Sequence, residues 1–176
     1  MDDLQLPALL RDNEAYQHSG FHAALRTPRP SGRLVILTCM DARLDLFRAL
    51  GLEVGQAHVL RNAGGRASAD AVRSLIISTH LLGTREIGVI HHTNCGLEGV
   101  TDAEVAERTG VTGVDFLAFA SVEDSVREDV EIVRTCGHFE DEVVVWGAIY
   151  DVDRGAIELI VEPEAVTAKV SPTPRP

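Results

Sequence analysis

Short apolar runs that each break off into polar or glycine-rich sequence, with helix-like stretches between them, set the narrowest limit on how this chain can fold. Arg33 to Cys39 follows the punctuation Arg29-Pro30-Ser31-Gly32. It is short, apolar and β-branched, as a strand covered on both faces should be. Ala57 to Arg61 and Glu86 to Ile90 read as the second and third strands. Asp141 to Tyr150 and Ala156 to Val161 read as two more, joined by the hairpin linker Asp151-Val152-Asp153-Arg154-Gly155.

The stretches between are helical. One lies near Leu44 to Leu50 and ends at Gly51. Ser68 caps another, with Val72, Leu75, Ile76, Leu81 and Leu82 as apolar points and Gly83 as the stop. Thr101 with Glu104 forms a capping box, and Ser121 with Asp124 a weaker one. The second opens a helix with Val122, Val126, Val130 and Val133 on one side, stopped at Gly137. Strands alternating with helices predict an α/β fold, a three-layer α/β/α arrangement around a mostly parallel sheet. The 176 residues suit one domain, with a helical arm over about 1–27 and a loose, proline-rich tail over about 163–176.

Charge narrows the partners. A net charge of −11 with no basic stretch argues against nucleic acid and against an anionic membrane surface. No apolar run is long enough to span a bilayer, and Asp2 and Asp3 stand where a signal peptide needs basic residues. A cytoplasmic location is expected. There, three cysteines suit metal binding, nucleophilic chemistry or core packing better than disulfides.

In open α/β sheets, ligands bind beyond the carboxyl ends of the strands, at a switch point in strand order. Here that selects the residues after Cys39, after Arg61 and after Ile90. Extended backbone after the first strand would put Cys39, Asp41 and Arg43 on one face. His92 and Cys95, two residues apart, can close on one metal. Both groups meet if strands one and three are neighbours, as in the order 2-1-3-4. Two thiolates and one imidazole select zinc, with sulfur at about 2.3 Å and nitrogen at about 2.0–2.1 Å. Three protein ligands leave a fourth position open, which marks a catalytic site, and water bound there loses a proton near neutral pH. Asp41 either orients the resulting hydroxide or fills the fourth position itself and closes the site. Arg43 decides between these by holding the carboxylate in a bidentate pair.

Cys39-Met40-Asp41-Ala42-Arg43, then Arg61-Asn62-Ala63-Gly64-Gly65, then His92-Thr93-Asn94-Cys95-Gly96 resemble the successive motifs of the β-class carbonic anhydrases. The resemblance runs from about Arg33 to Tyr150, with Asn94 and Leu97 where close relatives often carry Asp and Met. It implies zinc, one per subunit, on Cys39, His92 and Cys95, an Asp41–Arg43 dyad, and a four-stranded parallel sheet with an additional edge strand. It also implies a homodimer or a dimer of dimers. The expected reaction is reversible hydration of carbon dioxide to bicarbonate by zinc-bound hydroxide. Relatives on the same scaffold hydrolyse carbonyl sulfide or carbon disulfide and release hydrogen sulfide, and the metal motifs do not separate these. A closed structural zinc, or a redox-sensing module whose thiolates are released on oxidation, is the non-enzymatic alternative.

Asn62, Ala63, Gly64, Gly65 and Gly96 are candidates for the pocket wall, although Arg61 to Gly65 also suits a simple strand-ending turn. His91 is expected on the opposite face from His92 as a packed or hydrogen-bonded neighbour. Cys136 is expected as a small buried hydrophobe. His58 and His80 are expected as satisfied core or boundary residues, and His138 as exposed. The acidic run Glu123 to Glu131 is expected as a solvated helix face, with Arg127 near Glu123 and Glu131 at i,i+4 spacing.

Overall fold

A computed structural model describes residues 5–19, 27–140 and 142–166. Part of the N-terminal arm and the tail beyond Val166 lie outside the described residues. The elements are α1 (Leu6–His18), β1 (Leu34–Cys39), α2 (Leu46–Ala49), β2 (Ala57–Asn62), a 3₁₀ turn (Ala63–Gly65), α3 (Ala69–His80), β3 (Glu86–His92), α4 (Asp102–Thr109), α5 (Val122–Thr135), β4 (Val144–Asp151) and β5 (Ala156–Ala165). They build one five-stranded sheet in the order β2-β1-β3-β4-β5. The first four strands are parallel and β5 is an antiparallel edge strand. The reversal of strand order between β1 and β3 brings the carboxyl ends of those strands side by side, as the metal motifs require.

Side-chain alternation along β1 divides the core. Val35 and Leu37 face α3 and α5 and pack with Val72, Leu75, Val126, Val130 and Val133. Ile36 faces the other way and packs with Ile90, Ala148 and Leu46 of α2. All three of Val35, Ile36 and Leu37 are fully buried, which is why an unbroken apolar run could be read as a central parallel strand. The caps sit where expected. Ser68 accepts from the Ala71 amide, Thr101 and Glu104 close both halves of their box, and Ser121 accepts from the Asp124 amide.

Several boundaries differ from the sequence expectation, β4 among them, which starts at Val144 rather than Asp141. β3 runs past Ile90 to His92, because His91 and His92 continue the ladder opposite Ile149 and Tyr150. β5 runs past Val161 to Ala165, pairing Ala165 with Val144 across an irregularity near Gly147. Residues 163–165 are therefore ladder rather than loose tail, and Val166 is buried. The helix after β1 is a single turn, capped by the Asp45 side chain on the Arg48 amide.

α5 lies directly on β4 because Gly147 has no side chain. A Cβ there would sit 2.5 Å from Val126 Cγ1 and 2.8 Å from Val130 Cγ2. Gly147→Ala overpacks this contact and is expected to cost about 1–3 kcal/mol, read as a lower urea midpoint at unchanged slope. A wild-type midpoint would show that the helix can lift from the sheet without loss.

Candidate metal centre

Cys39 is the last residue of β1 and His92 the last of β3. Cys95 follows in a turn that Asn94 reverses with φ at 56°, a left-handed conformation that asparagine tolerates better than most residues. Thr93 ties this turn to β4: its amide donates to Tyr150 O at 3.0 Å and its hydroxyl accepts from the Val152 amide at 3.1 Å. Two sulfurs and one ring nitrogen, from Cys39, Cys95 and His92, thereby lie within 4.8 Å of one another, on three buried residues.

The donors suit a metal. His92 Nδ1 lies 2.9 Å from the Thr93 carbonyl, which can only accept, so Nδ1 carries the ring proton. The lone pair is left on Nε2, which is buried and has no hydrogen-bond partner among the described residues. An orphaned imidazole nitrogen beside two sulfurs is what a soft divalent ion would satisfy. The sulfurs are prepared unequally. The neighbouring Cys95 thiol draws the Cys39 pKa down to about 4 against the opposing effect of burial, with help from the nearby His92 ring and then the Asp41 and Gly64 amides. Cys95, which keeps the shared proton, is pushed up. Binding a metal to the pair releases the protons that its thiols still hold.

Asp41 and Arg43 do come together, but not by strand alternation. The chain turns after Met40, with the Leu44 amide donating to Asp41 O at 3.2 Å. Asp41 Oδ1 accepts from the Arg43 amide and from its Nε, both at 2.9 Å, and Oδ2 accepts from Nη2 at 2.7 Å. This fork holds the carboxyl below the usual carboxylate range. Arg43 Nη2 also donates to Asn94 O at 2.9 Å, so one guanidinium joins the loops after β1 and β3. Asp41 stands beside the three candidate ligands, with Oδ2 3.8 Å from His92 Nε2.

The Arg61–Gly65 segment fixes its neighbours. Arg61 donates to the carbonyls of Cys39, Asp41 and Leu44. Asn62 Nδ2 spans the turn to Arg66 O at 2.7 Å. Gly65, at φ 73°, presses on the Cys39 backbone: a Cβ there would lie 3.0 Å from Cys39 N and 3.1 Å from the His91 ring. Ala63 and Gly96 are exposed, and a Cβ at Gly96 would meet nothing within 4 Å.

The helix α5 corrects one expectation. Arg127 does pair with Glu123 at 2.6 Å, but Ser125 and Asp129 inside the acidic run are buried. Ser125 hydrogen-bonds His91 and Asp129 stands 3.1 Å from its Nε2, so His91 faces away from the ligand set into the helix. The signal was present: Ser125 and Asp129 directly precede Val126 and Val130, on the margin of the apolar stripe. His58 is bonded to Ser78 and the Pro28 carbonyl, Cys136 is half-buried, and His80 and His138 are exposed.

A parallel α/β sheet carrying two cysteines and a histidine at its switch point, with an arginine-clamped carboxylate alongside, defines a mixed thiolate–imidazole metalloprotein. The family described as carbonic anhydrase matches residues 34–113. β-Carbonic anhydrase 1 of Mycobacterium tuberculosis is 38% identical over 144 residues, covering 79% of this chain and 88% of that protein. The crystal structure of a carbonic anhydrase from Streptococcus mutans superposes with a TM-score of 0.80 at 40% identity, covering 91% of this chain and 99% of that one. A carbon disulfide hydrolase of Saccharolobus solfataricus is 51% identical over 75 residues, 43% of this chain and 37% of that protein. The chain belongs to the β-carbonic anhydrase family, whose members use zinc.

Proposed function

We propose that this chain is a zinc-dependent carbonic anhydrase that reversibly hydrates carbon dioxide to bicarbonate, with zinc held by Cys39, His92 and Cys95. One observation carries the reading: three donors converge while the neighbouring carboxylate of Asp41 is occupied by Arg43. A three-residue donor set suits a catalytic zinc, whereas a closed structural site needs a fourth. Zinc, when bound, supplies a Lewis acid that lets water ionise near neutral pH.

The chain's own residues do the rest. Asp41 Oδ1 is filled by two donors from Arg43, while Oδ2 receives only one. A spare lone pair remains on Oδ2, the oxygen that faces His92 Nε2. Asp41 accepts a hydrogen bond from the attacking water there and aims its oxygen at the carbon of carbon dioxide. Water adds across one C=O bond, and the products are bicarbonate and one proton, which buffer removes. Asn62, Ala63, Gly64, Gly65 and Gly96 border the approach. Asp41 released from Arg43 would complete the donor set and close the site.

Carbonyl sulfide and carbon disulfide offer an equivalent carbon, and the segmental match to a carbon disulfide hydrolase supports this as the second reading. The longer coverage by the mycobacterial carbonic anhydrase favours carbon dioxide. Purified zinc protein should be given all three substrates side by side. The fastest turnover is expected with carbon dioxide; faster hydrogen sulfide release would transfer the assignment to the hydrolases. Background rates with every substrate, zinc still bound, would favour the redox-sensing module.

The working unit is a homodimer or a dimer of dimers in the cytoplasm. Leu6, Leu9 and Leu10, at i, i+3 and i+4, are exposed on α1, and no residue of that helix is buried. Such a short helix needs a partner surface. Ionised thiolates also suit a reducing compartment. No helix among the described residues is long and apolar enough to cross a membrane.

A further inference from the structure

Behind the ligand set, on the α5 side of β3, lies a buried polar network that zinc chemistry does not use. Asp129 Oδ2 is 2.9 Å from Arg66 Nε and 3.1 Å from His91 Nε2. The Asp129 and Arg66 side chains are 1% and 5% exposed. His91 Nε2 also lies 3.2 Å from Gly65 O, and Nδ1 lies 2.8 Å from Ser125 Oγ. The Gly65 carbonyl can only accept, so Nε2 carries a proton and donates to it, with the Asp129 carboxylate alongside at ion-pair distance. Arg66 continues outward to Glu128 Oε2 at 2.6 Å and stacks over Phe119, 5.5 Å from its centroid. Phe119 in turn packs with Cys39 and Cys95.

Two arms of this network reach residues next to candidate ligands, while the Arg66–Glu128 pair runs outward to solvent. His91 precedes His92 in β3. Gly65 presses on the Cys39 backbone, where a Cβ would lie 3.0 Å from Cys39 N. Gly64, in the same turn, takes φ 74°, a left-handed conformation that glycine adopts freely. Stability alone is a weak reason for such a network, because a buried ion pair can often be exchanged for apolar side chains without loss. Placement is a better one: donors that orient metal ligands govern how firmly the metal is held.

We propose that Asp129 is a positioning residue for the metal site: through Arg66 and His91 it seats the Ala63–Gly65 turn against Cys39. The claim rests on the zinc assignment above but not on the identity of the substrate.

Two variants test it in the full chain, Asp129→Asn and the double exchange Arg66→Met with Asp129→Leu. The double exchange removes both charges together, so no unpaired ion is left buried. It is expected to fold with an unfolding midpoint near that of the wild type. Zinc release into a chromogenic chelator is expected to quicken by about tenfold or more in both variants. The sulfur-to-metal absorption of the cobalt-substituted protein is expected to shift with it. Wild-type release and wild-type absorption in either folded variant overturn the proposal. So does a double variant that cannot fold, since the network would then serve stability alone. A wild-type protein that takes up no zinc overturns the metal assignment instead.

Discussion

Cys95→Ser is expected to lose its zinc and, with it, hydration of carbon dioxide down to background. A serine hydroxyl does not ionise near neutral pH, so the donor set falls from three to two and one soft ligand remains. Zinc per chain after dialysis against a mild chelator is the measurement, and it should fall from near one to near nil. Cys136→Ser is the matched control. Its sulfur donates to Val133 O at 3.3 Å at the end of α5, away from the triad, and zinc content should not change. Full zinc occupancy in Cys95→Ser would remove that residue from the ligand set.

Asp41→Asn is expected to keep zinc and lose turnover by roughly a hundredfold or more, the range for a positioned group that handles a proton or orients a nucleophile. The amide offers one acceptor oxygen where the carboxylate offers two, and Arg43 then competes for it. Stopped-flow turnover beside zinc content separates this from metal loss; unchanged turnover would take Asp41 out of the mechanism. The sign of the pH dependence follows from the lowered carboxyl. The Asp41–Arg43 pairing stabilises the fold fully above the ordinary carboxylate pKa of about 3.9, and this contribution is lost as pH falls through the lower folded value. Asp41 is therefore ionised throughout the neutral range and adds no limb to the rate profile there.

Strand order and the clustering of Cys39, His92 and Cys95 were legible in the sequence for one reason. Unbroken apolar runs identify central parallel strands, and the residues just past them are where chemistry must sit. Cys39 and His92 are each the final residue of their strand. Three matters were not legible. Period-two alternation could not anticipate the turn after Met40, because the Asp41 carboxylate captures the Arg43 amide and reverses the chain locally. Nor did charge reveal the buried network, because Asp129 lies among the exposed acids Glu123, Asp124 and Glu131 and differs from them only in its angular position on α5. Ladder extension at β3 and β5 depended on the length of the β4 partner, a non-local property.

Stopped-flow hydration of carbon dioxide by the purified protein, loaded with zinc and then stripped of it, bears most directly on the whole account. Turnover far above the buffer rate is expected at about pH 7 to 9, lost on stripping and restored by one zinc per chain. A fully zinc-loaded protein that hydrates carbon dioxide no faster than buffer across that range would contradict it.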